Sequence, residues 1–477
     1  MITLYNSFAR ADSRFIEYIN SKYYTYSGNK YSRQIHLEKR HHIPAETARS
    51  ICNNLQLLDA VSDSYLDCKV CNDRRYLTEY NHVPIGLLDV TPTSIIDEYG
   101  VEDRRVRPIG NSIPIALELY DYQQKIADTA INIGRGIIQA PTGSGKTELA
   151  VYITAMLGLK TLIVVPTIVI LGQFIERFNK YGIEVGQLGG GKRNIKDVTI
   201  SVVNSVCDGS KDALSALNCD VLILDEHHRY AAQDWYPVLL GCDAYYRFGQ
   251  SATPIRDNEF DTMKLIALCG RYIGSISVNE LQDKGKLSDA VVSIISIGGN
   301  DRFDFGNNWM RTYKTGIVHN QTRNELIAKI AKETEQHKVL ILVSWDEHAQ
   351  ELLKLMPDAA YLCGGKTIKQ VEKIKTDFIQ NKKIMIATTT GDVGLDIPCI
   401  DMLIVAGGGK SDVRTKQRAG RSLRTFSGSD SIEPKQCAEI IDFDDRQNGI
   451  LQYHSSKRIQ SYKNVGLRIK FLDESDV

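Results

Sequence analysis

Ala140-Pro141-Thr142-Gly143-Ser144-Gly145-Lys146-Thr147 is the stretch that decides the fold. A short apolar run, Gly136-Ile137-Ile138-Gln139, precedes it, and the residues from Glu148 to Leu157 have the apolar content and length of a helix. The stretch therefore predicts a phosphate-binding loop between a strand and a helix N-terminus, where backbone N–H groups bind anions best. The alternative, a glycine turn with a chance Gly-Lys-Thr, is disfavoured because strand, spacing and helix agree.

This loop predicts an ATP site with Mg²⁺. Lys146 is expected to neutralise the charges of the β- and γ-phosphates, and the Thr147 hydroxyl is expected to be a metal ligand. The backbone groups that cradle the phosphates then belong to Thr142, Gly143, Ser144 and Gly145.

Composition indicates an ordinary globular protein. At 477 residues the chain is too long for one core and suggests about three domains. No apolar run approaches the roughly 18 residues of a membrane helix, so no membrane partner is expected. Lys plus Arg (58) equals Asp plus Glu (58), so any nucleic-acid contact must come from local patches. Ten cysteines scattered partly in apolar runs, and an N-terminus without a secretory pattern, predict reduced thiols and a cytoplasmic location.

Residues 1–112 differ in texture from the rest and form the first predicted domain. Tyrosines there are interleaved with the basic residues Lys30, Arg33, Lys39 and Arg40. This mixture suits phosphate contact and base stacking, which predicts a DNA-binding accessory domain, and a tyrosine-rich core with a solvated basic face is equally compatible. Cys68 and Cys71 have the spacing of half a zinc site, but no second cysteine pair follows.

From the loop to about residue 289, strands and helices alternate as in a parallel sheet. The apolar run Val221-Leu222-Ile223-Leu224 leads directly into Asp225-Glu226-His227-His228. Carboxylates at the carboxyl end of such a strand face the ligand crevice of the sheet. We therefore expect Asp225 to hold Mg²⁺ and Glu226 to activate the attacking water.

Further motifs follow in a set order, and together with the loop and the acidic box they resemble the superfamily-two helicases. They are Leu119-Tyr120-Asp121-Tyr122-Gln123, Ser251-Ala252-Thr253-Pro254, Thr388-Thr389-Thr390-Gly391-Asp392-Val393-Gly394-Leu395-Asp396 and Gln417-Arg418-Ala419-Gly420-Arg421-Ser422-Leu423-Arg424. The acidic box resembles Asp-Glu-x-His, with His227 where alanine is usual.

The resemblance implies a role for each motif. Gln123 would read adenine, while Ser251 and Thr253 would couple hydrolysis to movement. Gly394 and Asp396 would face the ATP cleft, and the catalytic set would include Gln417, Arg421 and Arg424, whose arginines share a helix face and can reach the γ-phosphate. The implied contacts to the DNA backbone are Pro166, Thr167, Asn204, Ser205, Thr388, Thr389 and Thr390.

The implied fold class is α/β, with two tandem RecA-like domains built on parallel sheets (113–289 and 290–477) after a small α+β accessory domain (1–112). The layout is most similar to the UvsW-type helicases of tailed phages, with XPB and the type I or III restriction motors as near relations. This implies an ATP-dependent, monomeric DNA helicase that remodels branched or forked duplex and single strands in an infected bacterial cell. The alternatives are the motor subunit of a restriction system, although no nuclease motif was found, and an RNA helicase.

Overall fold

The computed structural model describes residues 2–4, 6, 8–11, 13–22, 24–26, 74–76, 82–232, 234–252, 259–298, 302–306, 308–335, 338–388, 397, 399–410 and 437–474. In the sequence, the spacing of Ala48, Ile51, Leu55 and Leu58 predicts an amphipathic helix over 44–61. This segment, the basic residues between 30 and 40, and the Cys68–Cys71 pair lie outside the described residues. Within the described part, no helix is long and apolar enough to cross a bilayer.

The described N-terminal region is a mixed α and β structure. Its strands are β1 (Ile2–Leu4), β2 (Phe8–Arg10), β3 (Tyr24–Tyr26), β4 (Arg74–Tyr76), β5 (His82–Pro84) and β6 (Val101–Asp103). Its helices are α1 (Ser13–Lys22), α2 (Ile85–Leu88) and α3 (Thr93–Tyr99). Four strands form a sheet in the order β5-β2-β1-β6, and β3 pairs with β4 separately. In the sequence, Thr91-Pro92 and Gly100 predict the bounds of a short helix, and α3 confirms it.

The first parallel sheet has eight strands. They are β7 (Arg135–Gln139), β8 (Thr161–Val165), β9 (Gly186–Gly189), β10 (Lys192–Asn194), β11 (Val198–Val202), β12 (Val221–Asp225), β13 (Tyr246–Ser251) and β14 (Tyr272–Ser275). The order is β10-β9-β11-β8-β12-β13-β7-β14, and all neighbours run parallel except β10 and β9. Gly190 and Gly191 connect these two strands as a hairpin turn with φ values of 63° and 83°, so this glycine run is not a phosphate loop.

Helices cover both faces of this sheet. They are α4 (Asp121–Ile133), α5 (Lys146–Leu157), α6 (Ile168–Lys180), α7 (Val203–Val206), α8 (Lys211–Leu217), α9 (Tyr236–Leu240), α10 (Glu259–Cys269) and α11 (Val278–Asp283). Helices α4, α5 and α6 bury one set of strand side chains, including Ile138, Ile163 and Ile223. Side chains from the alternate strand positions, such as Leu162 and Leu222, face the other core, which contains α8 and α10. Full burial of both faces explains why these strands are continuous apolar runs.

The second sheet has seven strands, all parallel. They are β15 (Asp289–Ile297), β16 (Val339–Val343), β17 (Ala360–Leu362), β18 (Ile384–Thr388), β19 (Met402–Val405), β20 (Cys437–Asp445) and β21 (Arg468–Asp473), in the order β17-β18-β16-β19-β20-β15-β21. The helices are α12 (Trp309–Tyr313), a π-helical turn (Lys314–Val318), α13 (Gln321–Glu333), α14 (Asp346–Leu355), α15 (Ile368–Asn381) and α16 (Gly449–Val465). Two helix-covered parallel sheets confirm the predicted fold class.

Candidate active site

Three predicted motifs meet at one edge of the first sheet. Strand β13 lies between β12 and β7, so the acidic box, Ser251 and the loop after β7 follow the carboxyl ends of three adjacent strands. Cα pairing joins Asp225 to Gln250 and Ser251 to Gln139. The Ala140 backbone N–H donates to Ser251 O at 3.0 Å, which ties the loop directly to β13. This edge is where parallel α/β sheets bind ligands.

Left-handed glycines shape the loop after β7. Gly143 has φ 86° and Gly145 has φ 79°, and Gly145 is the N-cap of α5. Lys146 Nζ donates to Ala140 O at 3.1 Å and to Pro141 O at 3.2 Å, so the amine is folded back over the start of the loop. Ser144 Oγ is buried and has no hydrogen-bond partner within the described chain. A phosphate oxygen would satisfy such a buried hydroxyl, so the loop fits a nucleotide.

Gln123 is held against the loop. Its Nε2 donates to Ser144 O at 3.0 Å, and its Oε1 accepts from the Tyr120 backbone N–H at 2.9 Å. Tyr122 Oη donates to the same Ser144 oxygen at 2.8 Å. Two side chains in the first turn of α4 therefore hydrogen-bond to the backbone of the loop. Reading of adenine by Gln123 stays a prediction.

The acidic box combines burial with an unusual backbone conformation. Burial, and then the neighbouring Glu226, raise the pKa of Asp225 to about 7, and Lys146 opposes the shift. Glu226 has φ 50° and ψ 46°, and among the described residues it is the only non-glycine with positive φ. This left-handed conformation is costly for a residue with a side chain and is concentrated at functional sites.

The two predicted Mg²⁺ ligands, Thr147 and Asp225, are a hydroxyl and a carboxylate. Such oxygen donors fit a Mg²⁺ that also keeps waters and phosphate oxygens. In the described stretches, no group of three or more His, Cys, Asp or Glu side chains forms a separate metal site.

His228 links the acidic box to the end of β13. Its Nδ1 lies 2.9 Å from Ser251 Oγ and 3.4 Å from Glu226 Oε2. The Asp-Glu-x-His spacing places His228 in the motif, but the sequence alone assigns no role to this side chain. The predicted coupling residue Ser251 is thus in contact with the acidic box, and its predicted companion Thr253 lies outside the described residues.

The predicted DNA contacts lie at the carboxyl ends of strands. Pro166 and Thr167 follow β8, and Thr167 Oγ1 caps α6 by accepting from the Ile170 N–H at 3.4 Å. Asn204 lies in α7 after β11, where its Oδ1 accepts from Trp235 Nε1 at 3.2 Å, and Ser205 follows it. In the second sheet, Thr388 ends β18 and is buried. The residues Thr389, Thr390, Gly394, Asp396, Gln417, Arg421 and Arg424 lie outside the described part, so their roles stay predictions.

The loop Gly407-Gly408-Gly409 after β19 is held by side chains that the sequence did not reveal. From the sequence alone, the three glycines predict either flexible backbone near the nucleic-acid track or a plain loop. Tyr313 Oη and Ser344 Oγ donate to Gly407 O at 2.5 and 3.0 Å. Arg323 Nη1 donates to Ala406 O at 2.8 Å, and Arg458 Nη1 to Gly409 O at 2.7 Å. No sequence signal marks these side chains, because the contacts join residues far apart in the chain.

Two family models match the two sheets. The model described as "Type III restriction enzyme, res subunit" matches residues 116–256, and the "Helicase conserved C-terminal domain" matches residues 321–426. The chain is a superfamily-two helicase. As its helicase domains imply, this helicase is an ATP-dependent enzyme.

Relatives and solved structures are similar to this helicase at low identity. The "DNA 3'-5' translocase XPB2" of Sulfurisphaera tokodaii is 27% identical over 414 residues, which are 76% of this chain and 91% of the relative. The structure titled "ATP-dependent Type ISP restriction-modification enzyme LlaBIII bound to DNA" matches with a TM-score of 0.54 at 15% identity, over 75% of this chain and 31% of that one, and shows the fold alone. The crystal structure of T4 UvsW covers 99% of each chain with a TM-score of 0.39 at 17% identity, too low to support an argument.

Proposed function

We propose that this helicase is an ATP-driven DNA helicase or translocase that remodels branched DNA, by fork and Holliday-junction branch migration and unwinding, in replication, recombination or repair. The convergence of the phosphate loop, Asp225 and Ser251 at one sheet edge carries the ATP-driven part. The choice of DNA is supported by the name of the archaeal XPB2 relative. The choice of branched DNA is supported by the resemblance in layout to UvsW-type helicases.

In this proposal the chain's own residues divide the work of hydrolysis. Lys146 neutralises phosphate charge, Thr147 and Asp225 hold Mg²⁺, and Glu226 accepts the proton of the attacking water. Bound Mg²⁺ supplies charge neutralisation at the phosphates. The contact of His228 with Ser251 passes a change in the acidic box to β13. Arg421 and Arg424 complete the proposal as fingers from the second domain.

The proposed DNA contacts belong to both sheets. Pro166, Thr167, Asn204 and Ser205 would meet the strand on the first domain, and Thr388 with its two following threonines on the second. The accessory region 1–112 would hold the duplex or branch point. Salt-sensitive phosphate binding is expected, because a chain of zero net charge must concentrate its basic residues locally.

The experiment compares the full-length protein with its Lys146→Ala and Glu226→Gln variants. Labelled Holliday junction, forked duplex, linear duplex and RNA duplex of one sequence are each incubated with ATP and Mg²⁺. The parent should process the junction and fork best, and Glu226→Gln should bind ATP but turn it over roughly 10²–10⁴-fold more slowly. Lys146→Ala should bind DNA yet neither hydrolyse ATP nor unwind. Preferential unwinding of the RNA duplex would contradict the proposal.

A second candidate is the motor of a restriction system. The description of the first family model, a restriction-enzyme subunit, favours it. Incubation of the same protein with closed circular plasmid, ATP and Mg²⁺ separates the two functions. Linearisation of the plasmid that requires ATP, and that Lys146→Ala abolishes, would favour the restriction motor over the remodelling of branched DNA.

A further inference from the structure

Gln250 is a buried amide with both polar atoms unpaired. The residue has 0% exposure, and neither Nε2 nor Oε1 has a hydrogen-bond partner within the described chain. A buried amide without partners is costly and rare, so it calls for a physical explanation.

Strand register places Gln250 between the acidic box and the phosphate loop. In the parallel sheet it pairs with Asp225 of β12 on one side and with Ile138 of β7 on the other. Side chains of paired residues in adjacent strands face the same side of the sheet. Phe248, two residues earlier, packs in the core that α5 covers, so Gln250 faces the same side as α5.

A second unpaired polar group lies at the same site. Ser144 Oγ in the loop is also buried without a partner in the described residues. Ser144 lies in the loop that follows β7, and Gln250 pairs with β7 near the end of that strand, so both groups border the edge of the sheet where Asp225 ends β12. An apolar ligand would leave both groups unpaired. A hydrated cation carrying phosphates offers donors and acceptors to both.

We propose that Gln250 is a positioning residue for the nucleotide-bound cation: its amide oxygen accepts a hydrogen bond from a water of the Mg²⁺ that Asp225 holds. The inference rests on the proposed function, since it needs ATP and Mg²⁺ at this site. Side chains that hydrogen-bond to the groups coordinating a metal fix the orientation of those groups, and removal of such a side chain weakens metal affinity by about 10–100-fold.

The test is binding rather than turnover. Full-length protein is titrated with Mg²⁺ at a fixed concentration of a fluorescent ADP analogue, and the same analogue is titrated in EDTA. Gln250→Leu and Gln250→Met should raise the Mg²⁺ concentration needed for half-binding by about tenfold or more, with nucleotide affinity in EDTA changed less than about twofold. Gln250→Glu keeps an acceptor and should restore the Mg²⁺ dependence.

A matched control is Thr154→Val. Thr154 in α5 is equally buried, and its hydroxyl also has no partner within the described chain, but it lies two turns beyond the loop. This variant should leave the Mg²⁺ titration unchanged. Parent-like Mg²⁺ dependence in both Gln250→Leu and Gln250→Met would overturn this inference alone. Failure of the parent to bind the Mg²⁺ nucleotide would overturn the proposed ATP site as well.

Discussion

At the residue scale, His227 and Gly249 are matched to each other. A Cβ added to Gly249 would lie 2.6 Å from His227 Cγ, so the ring packs directly on the backbone of β13. Burial and the neighbouring His228 lower the pKa of His227 to about 3, so the ring is neutral. Histidine at the position where related motifs have alanine is accommodated because the facing strand has no side chain there.

The close packing of His227 on Gly249 predicts that substitutions at the two positions have non-additive effects on the free energy of unfolding. Gly249→Ala alone should destabilise the protein by about 1–3 kcal/mol, because overpacking forces the ring or strand to move. Adding His227→Ala should recover part of that loss, since the smaller side chain makes room for the new methyl group. Urea denaturation of the parent, both single variants and the double variant measures the coupling energy. Additive free energies would refute the match, since contacting residues couple by roughly 0.5–3 kcal/mol.

At the scale of elements, buried ion pairs hold helix α16 to β20 and to the loop after β19. Arg458 contacts Asp442 with Nε–Oδ2 at 2.9 Å, and their side chains are 2% and 1% exposed. Tyr462 Oη also donates to Asp442 Oδ2 at 2.9 Å. The nearby carboxylates Asp442 and Asp445 raise the pKa of Arg458, although its burial opposes the shift. The guanidinium therefore joins a strand, a helix and the Gly409 carbonyl in one network.

Removal of the Arg458 guanidinium from this network should strongly decrease the free energy of unfolding. Arg458→Met leaves a buried carboxylate without its cation and should cost about 3–5 kcal/mol of unfolding free energy. The control is Arg446→Met, which removes a 2.7 Å pair with Asp444 in which the arginine side chain is 45% exposed. Because solvent reaches this pair, its loss should cost only about 0–1 kcal/mol. Urea denaturation followed by tryptophan fluorescence compares them. Equal costs would show that burial of the pair is not what stabilises α16.

At the scale of the whole molecule, the N-terminal region shares a core with the first sheet. Ile2 and Phe15 belong to the same buried cluster as Leu162. An added Cβ at Gly86 in α2 would lie 2.1 Å from Ile266 O, so α2 and α10 meet at backbone distance. The basic run at 104–107 predicts an exposed segment, and Arg107 is exposed, while its Nε donates to Tyr246 Oη at 2.8 Å. The described accessory residues therefore pack on the motor, and the domain boundary near 112 stays a prediction.

Buried histidines should make stability depend on pH. Burial, Lys410 and Arg458 lower the pKa of His454 to about 4 from its ordinary 6.5. As the pH falls from 6.5 to about 4, His454 is protonated in the unfolded chain but stays neutral in the folded chain. The free energy of unfolding therefore decreases. The contribution of His454 is fully present above pH 6.5 and is lost by about pH 4. His348, whose pKa burial also lowers, acts in the same direction.

The measurement is urea denaturation between pH 7.5 and 5. Partly buried carboxyls whose pKa desolvation raises, such as Asp89 and Glu439, act in the opposite direction, so the slope measured for the parent is not diagnostic by itself. On acidification, the free energy of unfolding of His454→Gln should fall less steeply than that of the parent. The two slopes should differ by up to about 1.4 kcal/mol per pH unit. Identical slopes for the two proteins would refute the prediction.

The sequence by itself determined the parallel sheets and the identity of the nucleotide loop. Residues 161–165, 221–225 and 339–343 are apolar at every position but their ends because helices cover both faces of each strand, and such runs are visible without a structure. The position of the loop between β7 and α5 was equally readable, because its glycines set the backbone conformation locally.

Only the tertiary structure decided which distant side chains meet. The contact of His228 with Ser251, the glycine opposite His227, the unpaired amide of Gln250 and the buried Arg458–Asp442 pair depend on which strands become neighbours. Strand order in a parallel sheet follows from crossovers that skip positions, so it cannot be read from local periodicity. The free energy of each buried polar group depends on what the fold places beside it, and that is a property of the packed molecule.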